Sequence, residues 1–171
     1  MADNKPSELQ AESLVIHELL KYGIKTTKPL FDEEGTDLLI IDQVSFRTAH
    51  VIKVQCKYRS YGSSKQNRVS IPTSYVSENF VLFLYVINED KKDGLYVFFA
   101  DDLKKWKIYN SDYSFGISIA TLEEQKGKLF DIVAAETIKR KLKEVDVKKY
   151  TSIIIDGIFL EKAIQMTKLL Y

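Results

Sequence analysis

Two periodicities of polar and apolar positions run along this chain of 171 residues, and each predicts a different kind of element. Apolar residues spaced three and four apart predict a helix over 7–22, where Ser7 and Gln10 fit a capping box and Gly23 fits a stop. The same spacing returns over 122–145. Compact or alternating apolar runs predict strands over 25–29, 37–42, 51–58, 80–87, 95–100, 107–109 and 116–119.

The order of these elements is a helix, a central run of strands and then further helices, which predicts an α/β (α+β) fold with a mixed central sheet flanked by helices. The length fits a single domain over 1–171, with a core of about 7–120 and a C-terminal helical addition of about 121–171. Within that addition, residues 153–155 could begin as a strand, and the tail is expected to be helical after Asp156.

Composition excludes several kinds of chemistry. Cys56 is the only cysteine, and His17 and His50 are the only histidines, so neither an internal disulfide nor a cysteine-rich zinc site can form. The seven glycines are too widely spaced for a phosphate-binding glycine loop. The longest apolar run, over 80–87, is far shorter than the roughly 20 residues of a membrane helix. With a polar start as well, we expect a cytoplasmic protein with no membrane partner.

One carboxylate is expected on the apolar side of the first helix. On a helical wheel, Glu12 falls among the apolar positions Leu9, Val15, Ile16 and Leu19. A buried carboxylate is costly unless it is paired, protonated or bound to a metal ion. Glu12 therefore either pairs with a lysine across the helix–sheet packing or belongs to a functional site.

Two further segments carry candidate chemistry. Asp37 follows Gly35 at the start of a compact apolar run. In the next strand, alternation places Lys53, Gln55 and Lys57 on one face and Cys56 on the other. Each feature is ordinary when taken alone, because acids are common at turns and an antiparallel strand with one solvated face alternates in this way.

The combination is more specific: a helical Glu facing inward, a Gly-x-Asp at a strand start, and a hairpin that ends in Gln-x-Lys. It resembles the PD-(D/E)XK nuclease superfamily, which has the restriction-endonuclease-like fold, and the resemblance covers about residues 7–60 well. It implies an endonuclease that hydrolyses phosphodiester bonds of DNA with Mg²⁺ or Mn²⁺ as cofactor. It implies catalytic roles for Glu12, Asp37, Gln55 and Lys57, and metal ligation by Glu12, Asp37, Gln55 and the Cys56 carbonyl.

Gln55 departs from the commoner pattern, since many members of the superfamily have Glu or Asp at this position. Glutamine occurs there in some branches, including a small intron-encoded homing-endonuclease branch. Its oxygen can ligate a hard cation but brings no charge, so metal affinity is expected to fall. A catalytically inactive nuclease-like fold that binds nucleic acid or protein is therefore the main alternative. A third interpretation is an unrelated α+β interaction domain in which the motif arose by chance.

The net charge of +1 gives no global attraction to nucleic acid, so any attraction must be local. Residues 43–77 contain no Asp or Glu and carry a charge of +6, which leaves −5 for the rest of the chain. A solvated basic hairpin would show the same charges. On the nuclease hypothesis, this stretch supplies nucleic-acid contacts from Lys53, Arg59, Lys65 and Arg68, with the rings of Tyr58, Tyr61 and Tyr75.

The nuclease hypothesis also predicts self-association. One such site cuts one strand at a time, so we expect a homodimer or higher homo-oligomer that cuts both strands of DNA. The apolar segment 153–170 is the expected contact.

Overall fold

The computed structural model describes residues 5–29, 35–45, 48–61, 68–88, 91–144, 152–155 and 158–161. Five of its strands form a central sheet, namely β1 (Thr26–Thr27), β2 (Leu38–Ser45), β3 (Thr48–Tyr61), β5 (Phe80–Asn88) and β6 (Lys91–Phe99). They lie in the order β1-β2-β3-β5-β6, and every neighbouring pair is antiparallel except β3 and β5, which are parallel. The mixed central sheet expected from the sequence is thus confirmed.

A smaller antiparallel sheet covers one face of the central sheet. Its strands are β4 (Arg68–Pro72), β7 (Lys107–Tyr109) and β8 (Asp112–Gly116), in the order β4-β8-β7. Val69 and Ile71 of β4 share a buried cluster with Phe80 and Leu82 of β5 and with Phe98 of β6. The short helices α2 (Ala100–Leu103) and α3 (Ile119–Glu124) adjoin this layer, with 3₁₀ turns at Thr73–Tyr75 and Lys126–Lys128.

Two longer helices, α1 (Lys5–Lys21) and α4 (Ile132–Glu144), cover the other face. Val15 and Leu19 of α1 and Ile138 of α4 pack there against Val54 and Cys56 of β3. The two faces of β3 therefore differ as the alternation predicted, because its even-numbered residues enter the helical layer. Both faces are covered, however, and Gln55 is buried, so the strand is not the half-solvated hairpin that the same alternation would also fit.

Helix α1 differs in detail from its prediction. It begins at Lys5, so Ser7 lies inside the helix and does not cap it. Its end is as predicted: Gly23 has a φ of +71°, and Ile24 N–H donates to the Leu19 carbonyl at 3.0 Å, the geometry of a Schellman motif. Leu9 is 56% exposed, so its placement on the buried face was wrong.

The C-terminal part of the chain departs further from prediction. The helix expected over 122–145 is divided into α3, a 3₁₀ turn and α4. The strand expected over 116–119 is absent, since Ser118 caps α3 by accepting from Thr121 N–H at 3.1 Å. Strand β9 (Ser152–Ile155) pairs with β10 (Ile158–Glu161), so the tail is not helical directly after Asp156, and residues 162–170 lie outside the described part. No helix among the described residues is long and apolar enough to cross a membrane.

Candidate active site

The ladder between β2 and β3 brings Asp37 beside Gln55 and Cys56. Leu38 pairs with Val54, and Asp37 N–H donates to the Val54 carbonyl at 2.9 Å. The Asp37 side chain then turns toward β3, where its Oδ2 accepts a hydrogen bond from the Cys56 N–H at 2.6 Å. A main-chain donor on a paired strand thus fixes the carboxylate at the mouth of β2.

Gln55 presents a buried oxygen that has no partner. Its side chain is on the face of β3 opposite the helices and is 5% exposed, and Oε1 has no hydrogen-bond partner among the described residues. The other such atom in the described part is Oγ1 of Thr36, the neighbour of Asp37. An unsatisfied buried polar group costs about 1–3 kcal/mol, so the unpartnered Gln55 oxygen indicates a place where a ligand can satisfy it.

Gly35 and Tyr75 hold the Gln55 amide in place. A Cβ atom on Gly35 would lie 2.6 Å from Gln55 Nε2 and 2.7 Å from Cε2 of the Tyr75 ring. The φ of Gly35 is +63°, a conformation that glycine adopts without strain. Only glycine allows the amide and the ring to approach the backbone this closely.

Glu12 lies at the edge of the buried stripe of α1, not at its centre. The stripe is Ala11, Val15 and Leu19, and the Glu12 side chain is 17% exposed. Its carboxylate forms an ion pair with the Lys28 ammonium. The pairing with a lysine that we considered from the sequence is therefore present. Lys28 was not predicted as the partner of Glu12. The short strand β1 follows α1 directly, so the chain runs back along the helix and Lys28 comes to lie beside Glu12.

The charges of four side chains affect the pKa of the Cys56 thiol. Burial raises the pKa of this thiol well above its ordinary value, and the negative charges of Asp37 and Glu12 raise it further. The positive charges of Lys57 and Lys28 act against this rise in the pKa. The charges of the carboxylates from α1 and β2 and of the lysine two positions after Gln55 therefore all reach Cys56.

These residues offer oxygen atoms suited to a hard divalent cation. Carboxylate, amide and main-chain carbonyl oxygens are the ligands that Mg²⁺ and Mn²⁺ prefer. Within the described residues, no group of three or more His, Cys, Asp or Glu side chains could hold a metal ion. A metal ion here would thus depend on the amide oxygen of Gln55 and on a main-chain carbonyl as well as on Asp37 and Glu12. The unpartnered Oε1 fits that requirement.

The basic residues expected to contact nucleic acid have different surroundings. Lys53 is half-buried and shares the face of Gln55, whereas Arg68 is exposed at the start of β4. Arg59 donates from Nε to the Arg68 carbonyl at 3.0 Å and from Nη1 to the Tyr58 carbonyl at 2.6 Å, so it ties β3 to β4. Burial lowers the pKa of Arg59, while the charge of Glu8 opposes the shift. Lys65 lies outside the described residues.

Comparisons with known proteins give structural matches only. No family model matches the chain, and no curated protein matches its sequence. A bacterial homing endonuclease, I-Ssp6803I, superimposes with a TM-score of 0.52 and 21% identity, covering 83% of this chain and 98% of that one. Hjc, a Holliday junction resolvase of Archaeoglobus fulgidus, gives a TM-score of 0.41 and 13% identity, covering 73% and 99%. The first match, which spans nearly all of its partner, shows that the two chains share a fold.

Proposed function

We propose that this chain, which has the restriction-endonuclease-like fold, is a metal-dependent endonuclease that hydrolyses phosphodiester bonds of DNA. One observation carries the proposal. The buried, unpartnered oxygen of Gln55 belongs to the residue just before Cys56, whose main-chain N–H binds the strand-end carboxylate of Asp37. These are residues that the sequence resemblance singled out, which supports the proposal.

In this proposal, Asp37, Gln55, the Cys56 carbonyl and Glu12 hold a Mg²⁺ or Mn²⁺ ion, which supplies Lewis acidity for hydrolysis and offsets charge on the phosphate. The Cys56 N–H keeps the Asp37 carboxylate oriented toward β3. Gly35 and Tyr75 keep the Gln55 amide in one position. Lys57 orients the attacking water and offsets the negative charge of the scissile phosphate.

Nucleic-acid binding is proposed for Lys53, Arg59, Lys65 and Arg68. Cations attract the phosphate backbone whatever its sequence, and each contact releases counterions. Arg68 is the exposed member of this set in the described part. Arg59 already donates to two main-chain carbonyls, so its substitution would change the attachment of β4 as well as any DNA contact.

A second function, an inactive nuclease-like fold that binds nucleic acid or protein, is favoured by one specific observation. The Lys28 ammonium already neutralises Glu12, and Gln55 brings no charge. A cation site with so little negative charge would be weak, because ligand charge is one of the factors that set affinity for hard cations. The two functions are separated by whether the protein cuts DNA in any divalent metal.

The decisive variant is Asp37→Asn, with Asp42→Asn as its matched control. Asp42 is an exposed carboxylate on the same strand, outside the proposed site. We expect Asp37→Asn to lower Mg²⁺-dependent or Mn²⁺-dependent cleavage of plasmid DNA by more than about 100-fold, because even an outer-shell partner of a metal is worth roughly 10–100-fold. DNA binding in chelator should be unchanged or slightly stronger. Asp42→Asn should cleave as the wild type does.

Two further variants complete the test. Lys57→Ala should stop cleavage and weaken DNA binding while leaving Mn²⁺ binding, measured by calorimetry, largely in place. Gln55→Glu should keep or raise Mn²⁺ affinity. If Asp37→Asn still cuts, the site assignment is wrong. If the wild type binds DNA or a protein but cuts in no metal, the binding function replaces the enzyme.

A further inference from the structure

Strands β7 and β8 form a hairpin with a two-residue turn at its tip. Tyr109 pairs with Asp112, and the two residues between them, Asn110 and Ser111, have φ values of 49° and 67°. Positive φ at both central residues is the geometry of a type I′ turn, which matches the twist of the strands that it joins. β8 pairs on its other side with β4, so β7 is the edge strand of this small sheet.

The two faces of the small sheet have opposite character. The inner face packs on the central sheet, where Trp106 stacks on Phe115 with ring centroids 5.0 Å apart and Phe98 lies against both rings. Along each strand, the residues next to the inward-facing ones face outward, and so do the residues paired with these outward-facing residues on the neighbouring strand. The outer face consists of Arg68, Ser70, Lys107, Tyr109, Asp112 and Ser114.

The outer face carries two cations, one acid and one aromatic ring. The Arg68 guanidinium lies over the Tyr109 ring, 5.5 Å from its centroid, and Tyr109 is 62% exposed. Arg68, Lys107 and Lys105 open onto a groove of about 780 Å³. The acid in that groove, Asp102, is bound by Lys128 at 2.6 Å, so it does not neutralise the other three cations. Asp112, at the tip, is the one acid of the face itself.

The hairpin tip is connected to the candidate active site by a short path. Thr73 N–H donates to the Ser111 carbonyl at 3.0 Å. Thr73 begins the 3₁₀ turn that carries Tyr75, and the Tyr75 ring contacts the same backbone at Gly35 as the Gln55 amide does. A short series of contacts thus extends from the candidate site to the outer face of the small sheet.

We propose that the outer face of the β4-β8-β7 sheet extends the nucleic-acid contact of Arg68 to Lys107 and Tyr109, and holds the phosphate backbone of a DNA duplex beside the bond to be cut. The proposal rests on the proposed function for the identity of the nucleic acid. Arg68 and Lys107 contact phosphates, and the Tyr109 hydroxyl donates to the backbone. Ser70 and Ser114 are small enough to let the backbone approach the sheet, and hydroxyls are common phosphate donors.

Charge complementarity favours DNA over a second copy of the chain on this face. A duplex carries one negative charge for roughly every 1.7 Å of its axis, and it can meet Arg68, Lys105 and Lys107 together. A second copy would bring the same cations against themselves, since the described part of this face holds one acid, Asp112, to set against Arg68 and Lys107.

The test is duplex binding by the full-length chain in chelator, where no metal-dependent cleavage can occur. Fluorescence anisotropy with a labelled duplex, repeated over a series of salt concentrations, gives both the affinity and its salt slope. We expect Lys107→Ala to weaken binding several-fold and to lower the slope by about 0.9, the value of one phosphate contact. Lys107→Ala/Tyr109→Ala should weaken binding further. Lys143→Ala, an exposed lysine on α4 behind the central sheet, is the matched control and should bind as the wild type does.

Three results would overturn this proposal: variants with wild-type affinity and slope, a wild type that binds no duplex, or a sedimentation coefficient of the DNA-free protein that falls in the variants. The last would make the face an interface between copies. Hydroxyl-radical footprinting adds a positional readout, because Lys107→Ala should lose protection at one edge of the footprint and keep it elsewhere. If the protein shows these effects but cuts DNA in no divalent metal, the endonuclease proposal is wrong and the proposal for this surface still holds.

Discussion

The Gln55 amide owes its position to a glycine that lies beside it. Gly35 combines a φ of +63° with a backbone that both the amide and the Tyr75 ring approach. These two roles of the glycine can be separated, because Gly23 also has a positive φ, of +71°, but a Cβ atom there would meet nothing within 4 Å. The chain therefore contains its own control for backbone strain.

We expect Gly23→Ala to lower the free energy of unfolding by about 1–2 kcal/mol, because it puts an L side chain in the left-handed region. Gly35→Ala should lower it by more, because its Cβ also meets the Gln55 amide and the Tyr75 ring. Only Gly35→Ala should also reduce the stabilisation by Mn²⁺ and the rate of cleavage, because its Cβ displaces Gln55. Urea unfolding with and without Mn²⁺ measures both effects. Equal loss of the Mn²⁺ effect in the two variants would show that contact with Gln55 is unimportant.

Cys56 makes stability depend on pH in the alkaline range. Its folded pKa is raised, by burial first and by Asp37 and Glu12 next, whereas a thiol in an unfolded chain ionises near pH 8.5. Its contribution to stability is therefore fully present below about pH 8.5 and is lost as the pH rises toward the folded pKa. The loss is at most about 1.4 kcal/mol per pH unit.

Cys56→Ala should remove this component, so the difference in free energy of unfolding between wild type and variant should shrink from pH 7 to pH 10. Urea titrations of both proteins across that range measure this difference. Subtracting one curve from the other removes the pH dependence that comes from the lysines and tyrosines present in both proteins. Parallel stability curves would show that the Cys56 thiol ionises equally easily in both states.

Some of these residue-scale features could be predicted from the sequence and others could not. The common face of Lys53, Gln55 and Lys57 follows from the strand period, which is local. The helical wheel placed Glu12 in the middle of the apolar face, whereas it lies at the edge of the buried stripe. The ion pair between Glu12 and Lys28 and the packing of Tyr75 on Gly35 join separate segments. No periodic pattern reports such contacts, because they depend on how the elements meet.

At the scale of elements, the strands of the central sheet were more predictable than the helices after it. Their apolar runs are bounded by polar turns, and each is long enough to stand out. The helix expected over 122–145 is interrupted where Phe130 enters the core. Phe130 N–H donates to the Leu95 carbonyl at 2.8 Å, and its ring contacts Tyr22 and Phe83 at centroid distances of 5.6 and 5.4 Å.

The interruption has a further local cause. Asp131 Oδ1 accepts from Ala134 N–H at 2.8 Å and so caps a new helix, α4, immediately after Phe130. Core packing and a capping residue together outweigh a continuous helical spacing. In the same way, the cap at Ser118 begins α3 where the sequence favoured a strand.

At the scale of the whole molecule, the C-terminal hairpin suggests how copies of the chain associate. Within the described residues, β9 and β10 pair with each other and with neither of the other sheets. An isolated two-stranded hairpin is at best marginally stable in water, and the sequences of these two strands are mostly apolar. The nuclease hypothesis predicts that a second copy of the chain contacts this hairpin.

We therefore predict a homodimer or higher oligomer at micromolar concentration, which Phe159→Asp should shift toward monomer by placing a charge in an apolar contact. Sedimentation velocity over a concentration series, with and without DNA, measures the change. A wild type that sediments as a monomer at high micromolar concentration, with no change on adding DNA, would contradict the prediction.

The length of β3 has a consequence for how this chain can vary. The strand has 14 residues, is antiparallel to β2 and parallel to β5, and carries Gln55 and Lys57 on one face and Cys56 on the other. Loss or gain of one residue just before Gln55 would turn every later side chain of the strand to the opposite face. Lys57 would then lie under the helices, and the Cys56 thiol would lie on the face that now carries Gln55. Loss or gain of two residues would keep each side chain on its present face but would move Gln55 and Lys57 by two residues along the strand. A change of one residue in the length of this strand thus keeps the faces only where a β-bulge absorbs it, while its individual residues can be exchanged one at a time.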